Sequence, residues 1–90
     1  GNAALYIVNK YSRYGGECVS TYFFHKKENA EKRLRELLTT ETKIWEREGL
    51  DPTWWPPCKT WENVVDYLMS QGGHPNVAWI DTIKFEDEVS

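Results

Sequence analysis

The chain has 90 residues, of which 40% are hydrophobic, 14% aromatic and 28% charged, and its formal net charge is −3. This length fits one domain, residues 1–90, and the sequence contains no run of about 18–20 apolar residues that could span a membrane. We expect residues 1–3 to be a remnant of cloning, because the sequence begins with glycine, and residues 86–90 to form a frayed acidic tail.

The two parts of the chain carry opposite charge. Residues 1–35 contain seven basic and three acidic side chains, and residues 36–90 contain four basic and eleven acidic ones, so their net charges are +4 and −7. Such asymmetry can indicate a charged partner, but we favour the simpler interpretation that the two parts interleave and largely cancel. Cys18 and Cys58 form no CxxC motif, so we expect two reduced thiols in a cytoplasmic protein, with one disulfide bridge as the alternative.

The start of the chain predicts a β-hairpin. Residues 5–11 and residues 17–24 are rich in β-branched and aromatic side chains, and Gly15 and Gly16 between them suit a tight turn. The short connection makes the two strands antiparallel neighbours. Because residues 5–11 are apolar on both faces, we place this strand in the centre of the sheet.

A long amphipathic helix is predicted for residues 28–48. No Gly or Pro interrupts it, Gly49 follows as a stop signal, and its apolar side chains recur along one stripe with a 3.6-residue period. The stripe consists of Ala30, Leu34, Leu37, Leu38, Ile44 and Trp45. Glu41 falls on the same stripe, so we expect its carboxylate to bind a tyrosine hydroxyl, an indole N–H or Arg33, or a twist of the helix to expose it.

The second half of the chain contains a proline-rich loop, a short helix and a final strand. Three prolines within residues 50–59 exclude a helix or a central strand there. Thr60 suits the cap of a helix over Trp61–Ser70, which two glycines then end. The apolar face of this helix carries Trp61, Val64, Val65 and Leu68. Residues 76–85 form the third strand.

The element order ββααβ predicts an α+β fold of two layers. A three-stranded, antiparallel-type sheet with strand order 2-1-3 forms one layer, and both helices pack on one of its faces. The third strand then runs parallel to the second and is reached through a right-handed crossover. No helix remains for the other, partly apolar sheet face, so we predict a homodimer formed through that face or through the edge of the third strand.

No residue pattern predicts catalysis or metal binding. The potential zinc ligands Cys18, His25, Cys58 and His74 are separated by seven, thirty-three and sixteen residues, unlike the closely spaced ligand pairs of zinc modules. The sequence contains no nucleophile elbow, phosphate-binding loop or dinucleotide-binding glycine motif. We therefore predict a protein that is not an enzyme and that uses neither a metal nor a cofactor.

Two sets of residues are candidates for binding. Trp54 and Trp55 are adjacent and precede a proline, so their side chains diverge and at least one indole should be exposed; with Trp79 they form the predicted protein-binding set. The alternative for the loop is a lid over the end of the core. A basic, aromatic set that suits nucleic acid consists of Lys10, Tyr11, Arg13, Tyr14, Lys26 and Lys27. We predict a non-catalytic accessory or regulatory protein that acts through protein contact, with nucleic-acid binding as the alternative.

Overall fold

The computed structural model describes residues 3–85. The hairpin strands are β1, Ala3–Tyr11, and β2, Cys18–Phe24. Helix α1, Lys27–Arg47, a 3-10 turn at Pro52–Trp54 and helix α2, Trp61–Ser70, follow. The chain then forms the short strand β3, Gly73–His74, and the strand β4, Ala78–Phe85. The predicted α+β class and element order are confirmed with one short strand added; the predicted acidic tail lies outside the described residues.

The sheet is antiparallel and has the strand order β2-β1-β4-β3. β1 is central, because Val8 lies opposite Tyr22 of β2 and opposite Ile80 of β4. β2 and β4 are therefore parallel to each other on either side of β1, as the predicted order 2-1-3 requires.

The strand β3 corrects the prediction of three strands, which assigned both Gly72 and Gly73 to the end of α2. The chain returns instead to the edge of β4, where Gly73 lies opposite Trp79 and His74 opposite Ala78. Gly73 has a φ angle of +127°, and a Cβ atom there would lie 2.1 Å from the carbonyl oxygen of Ala78. Only glycine allows this close approach, so the second glycine serves the sheet rather than the helix end.

Helix α1 packs against β1, β2 and β4, and α2 packs against α1 and β3, so the core is buried between the helices and one face of the sheet. Val8 and Ala78 contribute from the sheet and Val64 from α2, and all three are fully buried. The buried residues of α1 are Ala30, Leu34, Leu38 and Thr42. The predicted stripe thus faces the sheet in the first half of α1, and steps of four residues then bring Thr42 into the core. Ile44 and Trp45, predicted for the same stripe, are only partly buried.

Hydrogen bonds satisfy the polar groups that the helices bury or leave at their ends. The buried Thr42 hydroxyl donates to the Thr39 carbonyl oxygen at 2.9 Å, which removes the cost of an unpaired hydroxyl in the core. Thr60 caps α2 as predicted: its hydroxyl accepts the Asn63 N–H at 3.1 Å, and the Asn63 side chain accepts the Thr60 N–H at 3.3 Å. Among residues 3–85, no helix is long and apolar enough to cross a membrane.

Candidate protein-binding surfaces

Among the described residues, one face of the sheet has no helix above it, and we call it the open face. Neighbours of the buried Val8 and Ala78 point away from the helices, because side chains alternate along a strand. The open face carries Leu5, Ile7, Asn9, Thr21, Phe23, Trp79, Asp81, Ile83 and Phe85. Phe23, Ile83 and Phe85 are 62%, 44% and 50% exposed, so large apolar side chains remain in solvent here.

Apart from Trp79, which lies opposite Asn9, the large apolar side chains of the open face lie together at the end far from the hairpin turn. Leu5 is opposite Ile83 across the β1–β4 pair, and Ile7 is opposite Phe23 across the β1–β2 pair. With Phe85, these residues form a continuous apolar patch across three strands, which we call the apolar half. Facing pairs of this kind have Cβ atoms about 5 Å apart, so the two side chains of each pair can pack against each other.

Toward the hairpin turn the open face carries polar groups beside Trp79. The Thr21 hydroxyl donates to Asn9 Oδ1 at 2.9 Å, and Cys18 Sγ lies 3.4 Å from Thr21 Oγ1. Asp81 lies opposite Ile7 on β4 and is exposed. It is the charged side chain of the open face among the described residues, and it borders the apolar half.

Trp54 is the exposed member of the adjacent tryptophan pair. The Asp51 carboxylate accepts the backbone N–H and the hydroxyl of Thr53 at 2.9 and 2.7 Å, which caps the 3-10 turn and lowers the pKa of Asp51. Trp54 ends this turn and is 64% exposed, so the expectation that one indole stays in solvent is confirmed. The capped turn holds the indole on a short, proline-containing segment.

Trp55 is part of an aromatic cluster, which consists of Trp45, Trp55, Trp61 and His74. The Trp45 and Trp55 rings are stacked, with centroids 5.3 Å apart and an interplanar angle of 7°. Trp61 is tilted against both rings, at 6.2 and 5.6 Å. Stacked and tilted aromatic pairs stabilise beyond the area that they bury. Trp55 therefore joins the C-terminal end of α1 to the start of α2 and closes one end of the core.

Trp79 lies on a different surface from Trp54 and Trp55. Its neighbours Ala78 and Ile80 belong to the core, so the Trp79 indole is on the open face. A Cβ atom on Gly72 would lie 3.5 Å from Cζ2 of this indole, which places the ring over the β3 side of the sheet. The predicted protein-binding set Trp54, Trp55 and Trp79 thus does not form one surface.

The basic, aromatic set is divided between the two ends of the hairpin. Lys10, Tyr11, Arg13 and Tyr14 lie at the turn. Lys26 and Lys27 follow the other end of β2, about 20 Å away at the usual rise of 3.3 Å per residue. The structure therefore does not bring the six residues together, although Tyr14 is 91% exposed at the turn.

Arg13 binds the carboxylates at the end of α1. Its Nε lies 3.4 Å from Glu41 Oε2, and its guanidinium also donates to Glu48, which raises the pKa of Arg13. Glu41, expected to need a partner on the apolar stripe, thus pairs with Arg13 and not with Arg33. The sequence does not signal this contact, because it depends on the hairpin turn folding back onto α1.

His74 is the member of the aromatic cluster that lies near Glu41. Its ring meets the edge of Trp45 at a centroid distance of 5.7 Å, and its Nδ1 accepts the Asn76 backbone N–H at 3.1 Å. Burial lowers the pKa of His74, and the nearby Glu41 carboxylate opposes this shift. A neutral imidazole with Nδ1 unprotonated satisfies the hydrogen bond, so this residue acts as a structural acceptor.

The described residues contain no group of three or more His, Cys, Asp and Glu side chains placed to hold a metal ion. Cys18 is exposed and Cys58 is buried, and both are free thiols. No protein-family model matches the sequence, and no curated protein or solved structure is similar to it.

Proposed function

We propose that this chain is a small non-catalytic protein that acts through protein–protein contact, and that its partner at the open face is a second copy. The observation that carries this proposal is the apolar half, where Phe23, Ile83 and Phe85 remain largely exposed beside Leu5 and Ile7. Contiguous apolar patches on a folded surface commonly mark interaction sites.

A second copy fits this face because the face complements itself. Two flat sheet faces pack about 10 Å apart with their strands within about 30°, and a two-fold axis through the apolar half would set the apolar side chains of both copies against each other. The described open-face side chains include no Lys or Arg, so the face offers no cation for an acidic partner. Apolar burial is the attraction that it supplies.

The size of the face predicts a weak dimer. Three strands of seven to nine residues cover roughly 25 Å by 15 Å, which places the interface at or below the standard size of about 800 Å² per partner. Association also costs translational and rotational freedom. We therefore expect a dissociation constant on the order of micromolar or weaker rather than an obligate dimer.

Light scattering on a size-exclusion column across a concentration series tests the proposal. The mass should rise from monomer to dimer between about 10 µM and 1 mM, the range of weak specific association. Phe23→Glu places a charge in the apolar half and should abolish the rise. Tyr14→Glu places the same charge at an exposed aromatic residue outside the open face and should leave the rise unchanged. A monomer mass throughout the series would refute the homodimer.

The nucleic-acid alternative has weaker support, because its six residues lie at both ends of the hairpin and Arg13 is engaged with Glu41 and Glu48. The residues that favour nucleic-acid binding are Tyr14 and Lys10 near the turn. Binding to a single-stranded oligonucleotide that weakens steeply with salt, and that Tyr14→Ala reduces, would support this alternative over protein contact.

A further inference from the structure

β4 has an unpaired outer edge. β3 pairs with Ala78 and Trp79, and the Ile80 N–H donates to the Gly72 carbonyl oxygen at 2.9 Å. The direction of backbone groups alternates along an antiparallel strand, so the N–H and C=O groups of Thr82 and Lys84 point the same way as the Ile80 N–H. Within residues 3–85, no strand lies beside them. The row that β3 occupies is therefore vacant past Ile80.

A cleft of about 340 Å³ adjoins this vacant row. α2 ends at Ser70, which lines the cleft together with Ile80, and Thr82 and Lys84 farther along β4 are exposed. Apolar side chains from both layers line the cleft, among them Tyr6, Leu34, Met69 and Ile80. Thr82 lines it at the edge of β4 and Lys27 at the start of α1. Unused backbone groups and a partly apolar cleft thus lie side by side.

We propose that the edge of β4 and this cleft bind an extended peptide segment of another protein. The segment would add to the sheet as a strand in line with β3, exchanging hydrogen bonds with the backbone of Thr82 and Lys84. Strand addition at a sheet edge gives affinity through these bonds and specificity through pockets for alternate side chains. Here the pocket is the cleft, and its volume suits one aliphatic side chain with room for its neighbours.

Charge further defines the peptide. Lys27 lines the cleft, and Lys84 lies on the same side of the sheet, whereas Glu31 is the acidic side chain among the lining residues. In an extended peptide, residues two positions apart point the same way. A segment with an aliphatic residue flanked two positions away by acidic residues would therefore fill the cleft and reach the two lysines.

A second copy fits this edge less well than such a peptide. Two-fold pairing of β4 with itself about Ile83 would place Thr82 opposite the Lys84 of the second copy. That pairing would bring a lysine toward Lys27 at the cleft, where like charges oppose each other. The proposal also uses a different surface from the open face, so either can fail without the other.

An NMR titration with a synthetic peptide tests the proposal. The probe is acetylated and amidated Thr-Glu-Thr-Val-Thr-Glu-Thr, added up to about 5 mM because short peptides that bind through few contacts have affinities near this range. We expect saturable shifts of the Thr82 and Lys84 amide signals and of the Met69 methyl signal. The absence of saturable shifts at these positions would overturn the proposal, as would shifts centred on the free edge of β2.

Proline variants separate the two edges of the sheet. Thr82→Pro removes an outward N–H without removing a bond to β1, and should weaken peptide binding about fivefold or more. Thr21→Pro is the control. The backbone N–H of Thr21 points away from β1 on β2, the other edge strand, so this substitution also removes an outward N–H. Equal affinities in the two variants would overturn the proposal.

Charge variants at exposed positions of α1 give a second measurement that does not depend on the backbone of β4. Lys27→Glu should weaken the peptide severalfold at physiological salt, where nearby charges still interact. Lys32→Glu, on the same helix but outside the cleft, should have little effect. Equal losses in the two variants would indicate general charge attraction and overturn the assignment of the cleft.

Discussion

The two faces of this sheet are built from the same three long strands, yet one face is buried in the core and the other is exposed to solvent. On the covered face, Val8 and Ala78 are fully buried beneath the helices. On the open face of the same sheet, where alternate side chains point the other way, Phe23 and Ile83 remain in solvent. Alternation along a strand therefore assigns a side chain to a face, whereas the number of helices decides which face is buried.

Substitutions on the two faces should therefore differ most in their effect on stability. Leu38→Ala removes a fully buried side chain of α1 and should lower the free energy of unfolding by about 2–5 kcal/mol, because a cavity remains. Phe23→Ala on the open face should cost less than about 1 kcal/mol in the monomer, as surface changes do. Denaturant unfolding of dilute samples measures both, and similar losses would remove the distinction between the faces.

The aromatic cluster lies at the end of the core. The adjacent residues Trp54 and Trp55 should differ in their effect on stability, because only Trp55 belongs to this cluster. Trp55→Ala removes the ring stacked on Trp45 and should cost about 1–3 kcal/mol of unfolding free energy, less than a fully buried tryptophan because Trp55 is half-buried. Trp54→Ala should cost less than about 1 kcal/mol. Equal costs in thermal or denaturant unfolding would contradict the lid role of Trp55.

Asp81 is the residue that should limit association of the open face. An acidic side chain beside an apolar patch discourages sheet contacts, because burying the carboxylate without a cation is costly. Asp81→Asn should therefore tighten the dimer severalfold, measured as a lower midpoint of the mass increase with concentration. Glu62→Gln on α2 removes the same charge outside the open face, and an equal tightening there would indicate only a change in net charge.

The smallest expected effect is the pH dependence of the unfolding free energy that results from the partly buried His74. Burial holds its pKa below the ordinary value, so the unfolded chain binds a proton more readily than the folded one. The contribution of His74 to the unfolding free energy is complete above its pKa in the unfolded chain, about 6.5. This contribution is lost as the pH falls through its pKa in the folded chain. His74→Gln should flatten the slope of unfolding free energy between about pH 7 and 5. An unchanged slope would assign the titration to other groups.

Local patterns predicted the elements closely. α2 spans Trp61–Ser70 as predicted, and α1 begins and ends one residue before the predicted range of 28–48. These bounds follow from residues close in sequence, such as Thr60 with its capping bonds to Asn63. The central position of β1 also follows from its own residues, because a strand that is apolar on both faces loses least by lying between two neighbours.

Contacts between residues far apart in the chain could not be predicted from the sequence. The partner of Glu41 was expected on α1 or among the aromatic groups and is Arg13 at the hairpin turn. The expected tryptophan set is divided, because Trp55 stacks on Trp45 while Trp79 lies on the other side of the sheet. Neither outcome is visible in a periodic pattern, which reports the direction of a side chain within its own element.

Local residue patterns specify the order of the helices and long strands, their bounds to within about two residues, and the α+β class. Propensities, caps and alternation are local, so a linear chain displays them. Only the tertiary fold decides that Gly73 returns to β4 as a fourth strand, that no other strand within residues 3–85 continues its row, and that the hairpin turn meets α1 through Arg13. These features arise because packing two layers brings together groups whose separation along the chain carries no repeating signal.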